Sequence, residues 1–239
     1  MNSNYHKVYG TGKVNIMCLY WVGEFRGRDF TVEDVYRLYK SVLKHIDRDF
    51  EFYVLTNDME AVLPGHKIAL KHADDWPGWW AKMELHRGDL PQGRTLYLDL
   101  DSHCIRSLGP ILDTPGNLVM FPTPHPGGSR MTELGWVIPK YQAATMLFDS
   151  GVFEWMYDKF KADWDYYITH YRSDQDIMAE WIPDQGLFSP QWMMKLSQVM
   201  KGDKYTVTPP EDVIIITGQP KGKLFRQTNK LRWLEKMAR

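Results

Sequence analysis

The sequence predicts an α/β fold in which a mostly parallel sheet is covered by helices. Over the first 120 residues, short apolar runs typical of strands alternate with segments of helical periodicity. This order is typical of parallel strands joined by crossover helices. The 239 residues include 44% hydrophobic and 25% charged side chains, with no internal repeat and no low-complexity linker. We therefore predict a single domain that spans residues 1–239.

The elements of the first half follow one another in a regular order. The apolar run 14–21 has strand length, and Thr31 then begins a helix whose apolar side chains recur along one side. Further strands are predicted at 50–56, 67–70, 95–99 and 117–121, and a helix at 79–90. Ligands bind beyond the carboxyl ends of strands in such sheets, so the turns after the first, second and fourth strands should line one crevice.

The second half is less regular. Segment 122–136 is rich in proline and glycine and is predicted to be mostly loop. Strands are predicted at 143–148, near Tyr205 and at 213–216, with helices at 152–163, near 173–181 and from about Asn229. The last of these helices would be strongly basic, which by itself is typical of a solvated surface helix.

Charge and cysteine content exclude several classes of protein. The net charge of -1 gives no overall attraction to nucleic acid or to an anionic membrane. Cys18 and Cys104 are too few for a disulfide framework and suit a reducing compartment. The sequence has no apolar run long enough to cross a bilayer and no signal-like N-terminus, so we expect a cytoplasmic protein without a transmembrane segment.

The most informative feature is a pair of carboxylates directly after an apolar strand. Asp99 and Asp101 end the run R-T-L-Y-L-D-L-D, and strand alternation turns both towards the same side, with Leu100 turned into the core. Two carboxylates that close repel each other, and a hard divalent cation relieves that repulsion. The alternative is that both aspartates are simply solvated at the end of a strand.

Four segments, taken in chain order, resemble one enzyme family. They are W-A-K-M-E-L (80–85), L-Y-L-D-L-D with S-L-G-P-I-L-D (96–101 and 107–113), S-D-Q-D-I (173–177) and G-Q-P-K (218–221). This pattern resembles the small nucleotide-sugar glycosyltransferases of the GT-A fold, of the glycogenin and bacterial lipopolysaccharide galactosyltransferase type. The resemblance covers about residues 14–225. It implies a Rossmann-like sheet with a nucleotide-binding half at 14–121 and an acceptor-side half at 122–239 that includes the basic C-terminal helix.

The resemblance also implies an activity and its cofactor. A sugar would be transferred from a nucleoside-diphosphate sugar, expected to be a UDP-sugar, to a hydroxyl acceptor with retention of configuration. Asp99 and Asp101 would hold Mn²⁺ or Mg²⁺ together with the donor. The default acceptor is a glycan of the lipopolysaccharide type. The basic C-terminus and the aromatic segment 164–171 are also compatible with a less favoured acceptor, a hydroxymethylated DNA base.

The remaining site residues follow from the same motifs. Asp174 and Gln175 would contact the transferred sugar, and Asp176 would anchor the loop or act as a base. The turn that contains Gly218 and Lys221 would bind the diphosphate, whose developing charge a lysine stabilises. Acidic residues also favour a helix N-terminus, which is the structural alternative for Asp174 and Asp176.

Two positions depart from the family pattern, and one residue has two interpretations. The family's third metal ligand, a histidine, is replaced by Ile215 or Thr217, depending on the alignment. At the end of the first strand, Tyr20 and Trp21 stand where the family often has an acidic residue against the base, so we expect an aromatic ring to stack on the base. Lys82 either reaches the donor phosphates or is a solvated helix lysine.

Two other functions remain open from the sequence. A strand followed by D-L-D-S-H also resembles the haloacid dehalogenase phosphatases, in which Asp99 would be the nucleophile. That motif normally opens its fold, whereas about a hundred residues precede it here. A non-catalytic nucleotide-sugar-binding module is the other alternative, because the metal histidine is missing.

Overall fold

The computed structural model describes residues 13–25, 30–123, 130–131, 137–138, 141–182, 185–201, 204–205 and 207–218. Its strands are β1 (Val14–Tyr20), β2 (Phe50–Thr56), β3 (His66–Ala69), β4 (Arg94–Leu98), β5 (His103–Cys104), β6 (Leu118–Pro122), β7 (Arg130–Met131), β8 (Val137–Ile138), β9 (Tyr141–Asp149), β10 (Gly186–Leu187), β11 (Met193–Lys195), β12 (Met200–Lys201), β13 (Lys204–Tyr205) and β14 (Ile215–Thr217). Its α-helices are α1 (Val32–His45), α2 (Gly109–Leu112), α3 (Glu154–Ala162), α4 (Trp164–His170), α5 (Asp174–Trp181) and α6 (Leu196–Val199), and two 3-10 helices span Gly78–His86 and Pro190–Trp192.

The central sheet has seven strands in the order β10-β6-β9-β4-β1-β2-β3. β1 pairs in parallel with both β2 and β4, and β2 pairs in parallel with β3. β9 runs antiparallel between β4 and β6. The predicted α/β class with a mostly parallel sheet is therefore confirmed. A separate three-stranded sheet has the order β11-β14-β5, and its strand β5 follows β4 directly in the chain.

Alternation along β1 divides the core between the two faces of the sheet. Ile16, Cys18 and Tyr20 pack on the face covered by α1, whereas Met17 and Leu19 pack on the other face. Helix α1 begins as the sequence predicts: the Asp34 carboxylate accepts a hydrogen bond from the Thr31 backbone N–H at 2.8 Å, and the apolar side of the helix is buried. The β1 side chains on the face opposite α1 are therefore the ones that can reach the crevice.

One predicted helix is wrong in type and extent. The segment predicted as a helix over 79–90 is a 3-10 helix over Gly78–His86, and every residue from Trp80 to His86 is buried. A segment that is buried on all sides has no polar face to give it helical periodicity, so tertiary packing determines its form. Helix α4 was not predicted: the helix expected at 152–163 corresponds to α3 alone.

The predicted C-terminal helix and the expected lack of a transmembrane segment concern parts of the chain that are only partly described. The basic helix predicted from about Asn229 lies outside the described residues. Among the residues that are described, no helix combines the length and hydropathy needed to cross a bilayer.

A buried ion pair anchors the 3-10 helix to the chain after β3. The Glu84 carboxylate is fully buried, accepts hydrogen bonds from the backbone N–H groups of Lys71 and His72, and lies 2.5 Å from Arg87 Nη1. This pair therefore fixes the segment that carries Lys82 against the end of β3.

Replacing Arg87 with Met is expected to lower the free energy of unfolding by about 3–5 kcal/mol, because Glu84 would be left buried without its cation. Denaturant unfolding measures the change. Arg48→Met is the control, since the partners of Arg48, Asp47 and Asp113, are more than half exposed, and the expected loss is about 0–1 kcal/mol. Equal losses in the two variants would contradict the anchoring role.

Candidate functional site

A pocket of about 340 Å³ opens at the carboxyl ends of β1 and β4. Part of its lining, the aromatic wall, includes Trp21, Phe25 and Trp79, and another part, the charged wall, includes Lys82 and three aspartates. The lining side chains are Leu19, Trp21, Phe25, Phe30, Gly78, Trp79, Lys82, Tyr97, Asp99, Leu100, Asp101, Ser173, Asp174 and Gln175. The crevice that the sequence predicts at this edge of the sheet is therefore present.

Asp99 and Asp101 lie in a turn directly after β4. The Asp99 backbone N–H donates to Ala144 O at 2.8 Å, and the Ser102 N–H donates back to Asp99 O at 2.9 Å, which closes the turn. Leu100 is almost completely buried, and its carbonyl accepts a hydrogen bond from Arg37 Nη2 at 3.2 Å. Both carboxylates line the same pocket, as strand alternation predicts.

Lys82 is a buried cation that faces the carboxylates. Its side chain is 8% exposed, and its Nζ lies 2.8 Å from Asp99 Oδ1 and 3.9 Å from Asp174 Oδ2. Burial by itself lowers the pKa of Lys82, but Asp99, followed by Asp174, outweighs burial and raises the pKa above its ordinary value. Lys82 is therefore charged and is not the solvated lysine that the sequence left open.

Asp174 and Gln175 begin α5 and face the pocket. Asp174 is 1% exposed, and its Oδ2 has no hydrogen-bond partner among the described residues. Burial raises the pKa of Asp174 to about 6, although Lys82 opposes that rise. Thus Asp174 changes charge close to neutral pH.

The aromatic wall is built around two glycines. The Trp21 indole donates from Nε1 to Ala73 O at 2.9 Å, and its ring lies over Gly23, where an added Cβ would come within 2.3 Å of it. The Phe25 ring packs edge-on against Trp79 at 4.7 Å and lies over Gly78, where an added Cβ would come within 2.2 Å of it. Both rings therefore depend on a neighbour without a side chain.

Several predicted site residues lie elsewhere. Tyr20 is on the α1 face of β1 and packs in the core, because alternation turns only Trp21 towards the pocket. Asp176 does not line the pocket: its two oxygens accept hydrogen bonds from Arg172 Nη2 and Nε, each at 2.9 Å. The predicted base role is therefore not supported by position, whereas an anchoring role is consistent with this ion pair.

The predicted diphosphate turn is only partly described. Gly218 is exposed at the end of β14 with φ of 78° and does not line the pocket, and Lys221 lies outside the described residues. β14 pairs antiparallel with β5, with Ile216 opposite His103 and Ile215 opposite Cys104. Ile215 and Thr217, at the position of the missing histidine, are both buried in β14.

The pocket is also lined by three residues that were not predicted from the sequence, namely Tyr97, Phe25 and Phe30. The signal for Tyr97 was available, since it precedes Asp99 by two residues in a strand and therefore shares its face. Phe25 and Phe30 belong to an irregular segment, where no periodicity indicates which way a side chain points. Among the described residues, no group of three or more His, Cys, Asp or Glu side chains is arranged to hold a metal ion.

Asp174→Asn is expected to stabilise the protein above pH 6. The pKa of Asp174 in the folded protein, about 6, lies above its ordinary value of 3.8. The contribution of this carboxyl to the free energy of unfolding is therefore complete below pH 3.8 and is lost as the pH rises through 6. The side chain introduced in the variant is an amide and cannot ionise, so the variant keeps this part of its free energy of unfolding. The resulting difference from the wild type is at most about 3 kcal/mol at pH 8.

Denaturant unfolding at pH 5 and pH 8, without added metal, tests this prediction. The control is Asp176→Asn, which breaks the Arg172 ion pair and is expected to cost a small amount at both pH values. The assignment is wrong if Asp174→Asn destabilises the protein equally at both pH values.

Comparison with known proteins gives a likeness of fold. Neither the protein-family models nor the curated proteins include a match to this chain. Among solved structures, the glycosyltransferase GlyE of Streptococcus pneumoniae TIGR4 aligns with a TM-score of 0.62 and 13% identity, over 94% of this chain and 60% of that one. This chain therefore spans less than two thirds of the GlyE structure.

A second solved protein matches over nearly its whole length. An active-site glutamine-to-glutamate mutant of LgtC aligns with a TM-score of 0.59 and 14% identity, over 94% of this chain and 95% of that one. The galactosyltransferase LgtC in complex with donor and acceptor sugar analogues aligns with a TM-score of 0.54 and 13% identity, over 95% of both chains. The chain therefore has the same fold as these glycosyltransferases, as the sequence predicts.

Proposed function

We propose that this protein is a metal-dependent glycosyltransferase that moves a sugar from a nucleoside-diphosphate sugar, expected to be a UDP-sugar, to a hydroxyl acceptor. The proposal rests on one observation: a single pocket at the carboxyl edge of the sheet is lined by the predicted donor-binding side chains. These are Asp99, Asp101, Lys82, Asp174 and Gln175. Three of the four segments that resemble this family contribute to that pocket. The likeness of fold to GlyE and LgtC supports the same reaction class.

The two walls of the pocket suit the two ends of such a donor. A nucleobase is flat, and base stacking on an aromatic side chain is worth about 1–3 kcal/mol. Trp21 is held in place by its hydrogen bond to Ala73 O and offers such a ring. The diphosphate would then lie towards Asp99 and Asp101, and the sugar towards Asp174 and Gln175.

Charge balance favours a divalent cation at the two aspartates. The described charged side chains of the pocket are one ammonium, Lys82, and three carboxylates, Asp99, Asp101 and Asp174, so their net charge is -2 when all are ionised. A diphosphate would add further negative charge. The donor set fits Mn²⁺ or Mg²⁺, because such ions are bound by one or two carboxylates together with substrate phosphates and water.

The bound cation would stabilise the negative charge that develops on the diphosphate leaving group. Lys82 supplies a buried positive charge beside Asp99. Asp174 and Gln175, at the first turn of α5, would orient the transferred sugar. Retention of configuration is proposed because Gln175 occupies this position, and because an active-site glutamine is the residue altered in the LgtC mutant.

For the acceptor we propose the hydroxyl group of a saccharide. One LgtC structure contains donor and acceptor sugar analogues, which favours a glycan over a hydroxymethylated DNA base. The basic segment that would bind DNA lies outside the described residues, as does Lys221, whose diphosphate role stays a prediction. The phosphatase interpretation gains no support, since the solved structures named above are glycosyltransferases.

We also propose a cytoplasmic location. The two cysteines are free and buried, and burial raises the pKa of both thiols, which suits a reducing compartment.

Asp101→Asn is expected to weaken Mn²⁺-dependent binding of UDP by at least 100-fold, because one of the two carboxylate ligands is lost. A thermal-shift screen of UDP and UDP-sugars with Mn²⁺ identifies the donor, and calorimetry gives the affinities. Asp113→Asn, which alters an exposed carboxylate of the surface pair with Arg48, is the control and should bind as the wild type does. Unchanged Mn²⁺-dependent binding in Asp101→Asn would sink the proposed site.

Trp21→Leu is expected to weaken UDP binding about tenfold through loss of base stacking. The matched control is Trp155→Leu, since Trp155 is 45% exposed and does not line the pocket. Fluorescence or calorimetric titration with UDP in Mn²⁺ measures both variants. If both bind as tightly as the wild type, Trp21 does not contact the base.

A further inference from the structure

Asp99 has two neighbours of different chemistry. Lys82 Nζ lies 2.8 Å from Oδ1 and 3.0 Å from Oδ2, so the ammonium contacts both oxygens of the carboxylate. The Tyr97 hydroxyl donates a hydrogen bond to Oδ1 at 2.6 Å. A short O–H···O⁻ bond of this kind is charge-assisted and is about twice as strong as a bond between neutral groups.

Tyr97 is fixed more firmly than Lys82. Its side chain is 1% exposed in β4, where it packs in the core on the face opposite α1. It lies two residues before Asp99, so both side chains leave the strand on the same side. The phenol is the donor in this pair, because an ionised carboxylate can only accept.

The two contacts constrain Asp99 to different degrees. A lysine ammonium is a point charge on a flexible stem, and it attracts the carboxylate without fixing its rotation. A phenol on a buried ring donates along one direction. Oδ1 accepts from Tyr97, and the Lys82 ammonium contacts both oxygens. The Tyr97 bond therefore restricts the rotation of the carboxylate, and one lone pair of Oδ2 stays available.

We propose that Tyr97 is a positioning residue that holds the Asp99 carboxylate in the orientation in which it binds the divalent cation. This inference rests on the proposed function, since it assumes that Asp99 is a metal ligand. Hydrogen-bond partners of metal ligands typically change metal affinity by about 10- to 100-fold when they are removed. The effect that identifies this role is therefore a change in metal affinity.

Tyr97→Phe tests the proposal, because it removes the hydroxyl and keeps the ring. Titration with Mn²⁺ alone, in which free Mn²⁺ is counted by electron paramagnetic resonance, is expected to give a Kd about 10- to 100-fold higher than that of the wild type. Tyr157→Phe is the matched control: it loses a hydrogen bond with His72 Nε2 at 2.9 Å, away from the pocket, and should leave the Kd unchanged. Thermal unfolding of both variants reports any general loss of structure.

A Kd for Tyr97→Phe within twofold of the wild type overturns the inference. An equal rise in Kd for Tyr97→Phe and Tyr157→Phe overturns it as well, since the cause would then be structural. If Tyr97→Phe does not fold, Tyr97→Met provides the same test, because Met also lacks the donor and adapts to the space left by the ring.

A reference variant separates this inference from the proposed function. Asp99→Asn should abolish Mn²⁺ binding if Asp99 is a ligand. If Asp99→Asn loses Mn²⁺ while Tyr97→Phe keeps it, the role of Tyr97 is wrong and the metal site stands. If the wild type binds no Mn²⁺, with or without UDP, the proposed metal site fails and the positioning role fails with it.

Discussion

The charge compensation around Lys82 is the constraint on which the rest of the site depends. The buried ammonium of Lys82 lies close to Asp99 and Asp174 in a pocket that Asp101 also lines, and Asp174 reaches its elevated pKa because burial outweighs the attraction of Lys82. Such a group of charges is not balanced within the described residues of the pocket. A site that is left with excess negative charge selects a ligand that brings cations with it, and a nucleoside diphosphate bound as a metal complex has that property.

The fold brings these charges together from three separate parts of the chain. β4 ends at the two aspartates, the 3-10 helix supplies Lys82, and the first turn of α5 supplies Asp174 and Gln175. Two of these parts are anchored outside the pocket: the 3-10 helix by Glu84 and Arg87, and α5 by the Tyr141 hydroxyl, which lies within hydrogen-bond distance of Met178 O and Ile182 O. Rigid support of this kind keeps the charged groups in place before any ligand binds.

The sequence predicted what depends on local periodicity and on motif order. Asp99 and Asp101 line one pocket as expected, although they lie in the turn after β4, and the strands that were predicted, together with α1, fall close to their expected bounds. The sequence could not show that Lys82 is buried, because the 3-10 helix around it has no exposed face to produce a pattern. Tyr20 was expected at the nucleobase but packs in the core, although strand alternation already separates it from Trp21. The position of Phe25 is set by tertiary packing over Gly78, which no local pattern in the sequence predicts.

Turnover of the donor tests the central claim most directly. Release of nucleoside diphosphate from a panel of UDP-sugars is followed with Mn²⁺, after chelation, and after Mn²⁺ is restored. Release is expected to stop on chelation and to return with Mn²⁺, because the described side chains that line the pocket carry a net negative charge and do not neutralise a diphosphate. Release that continues unchanged after chelation would contradict the role of the cation, and no release from any nucleotide-sugar under any metal would contradict glycosyl transfer itself.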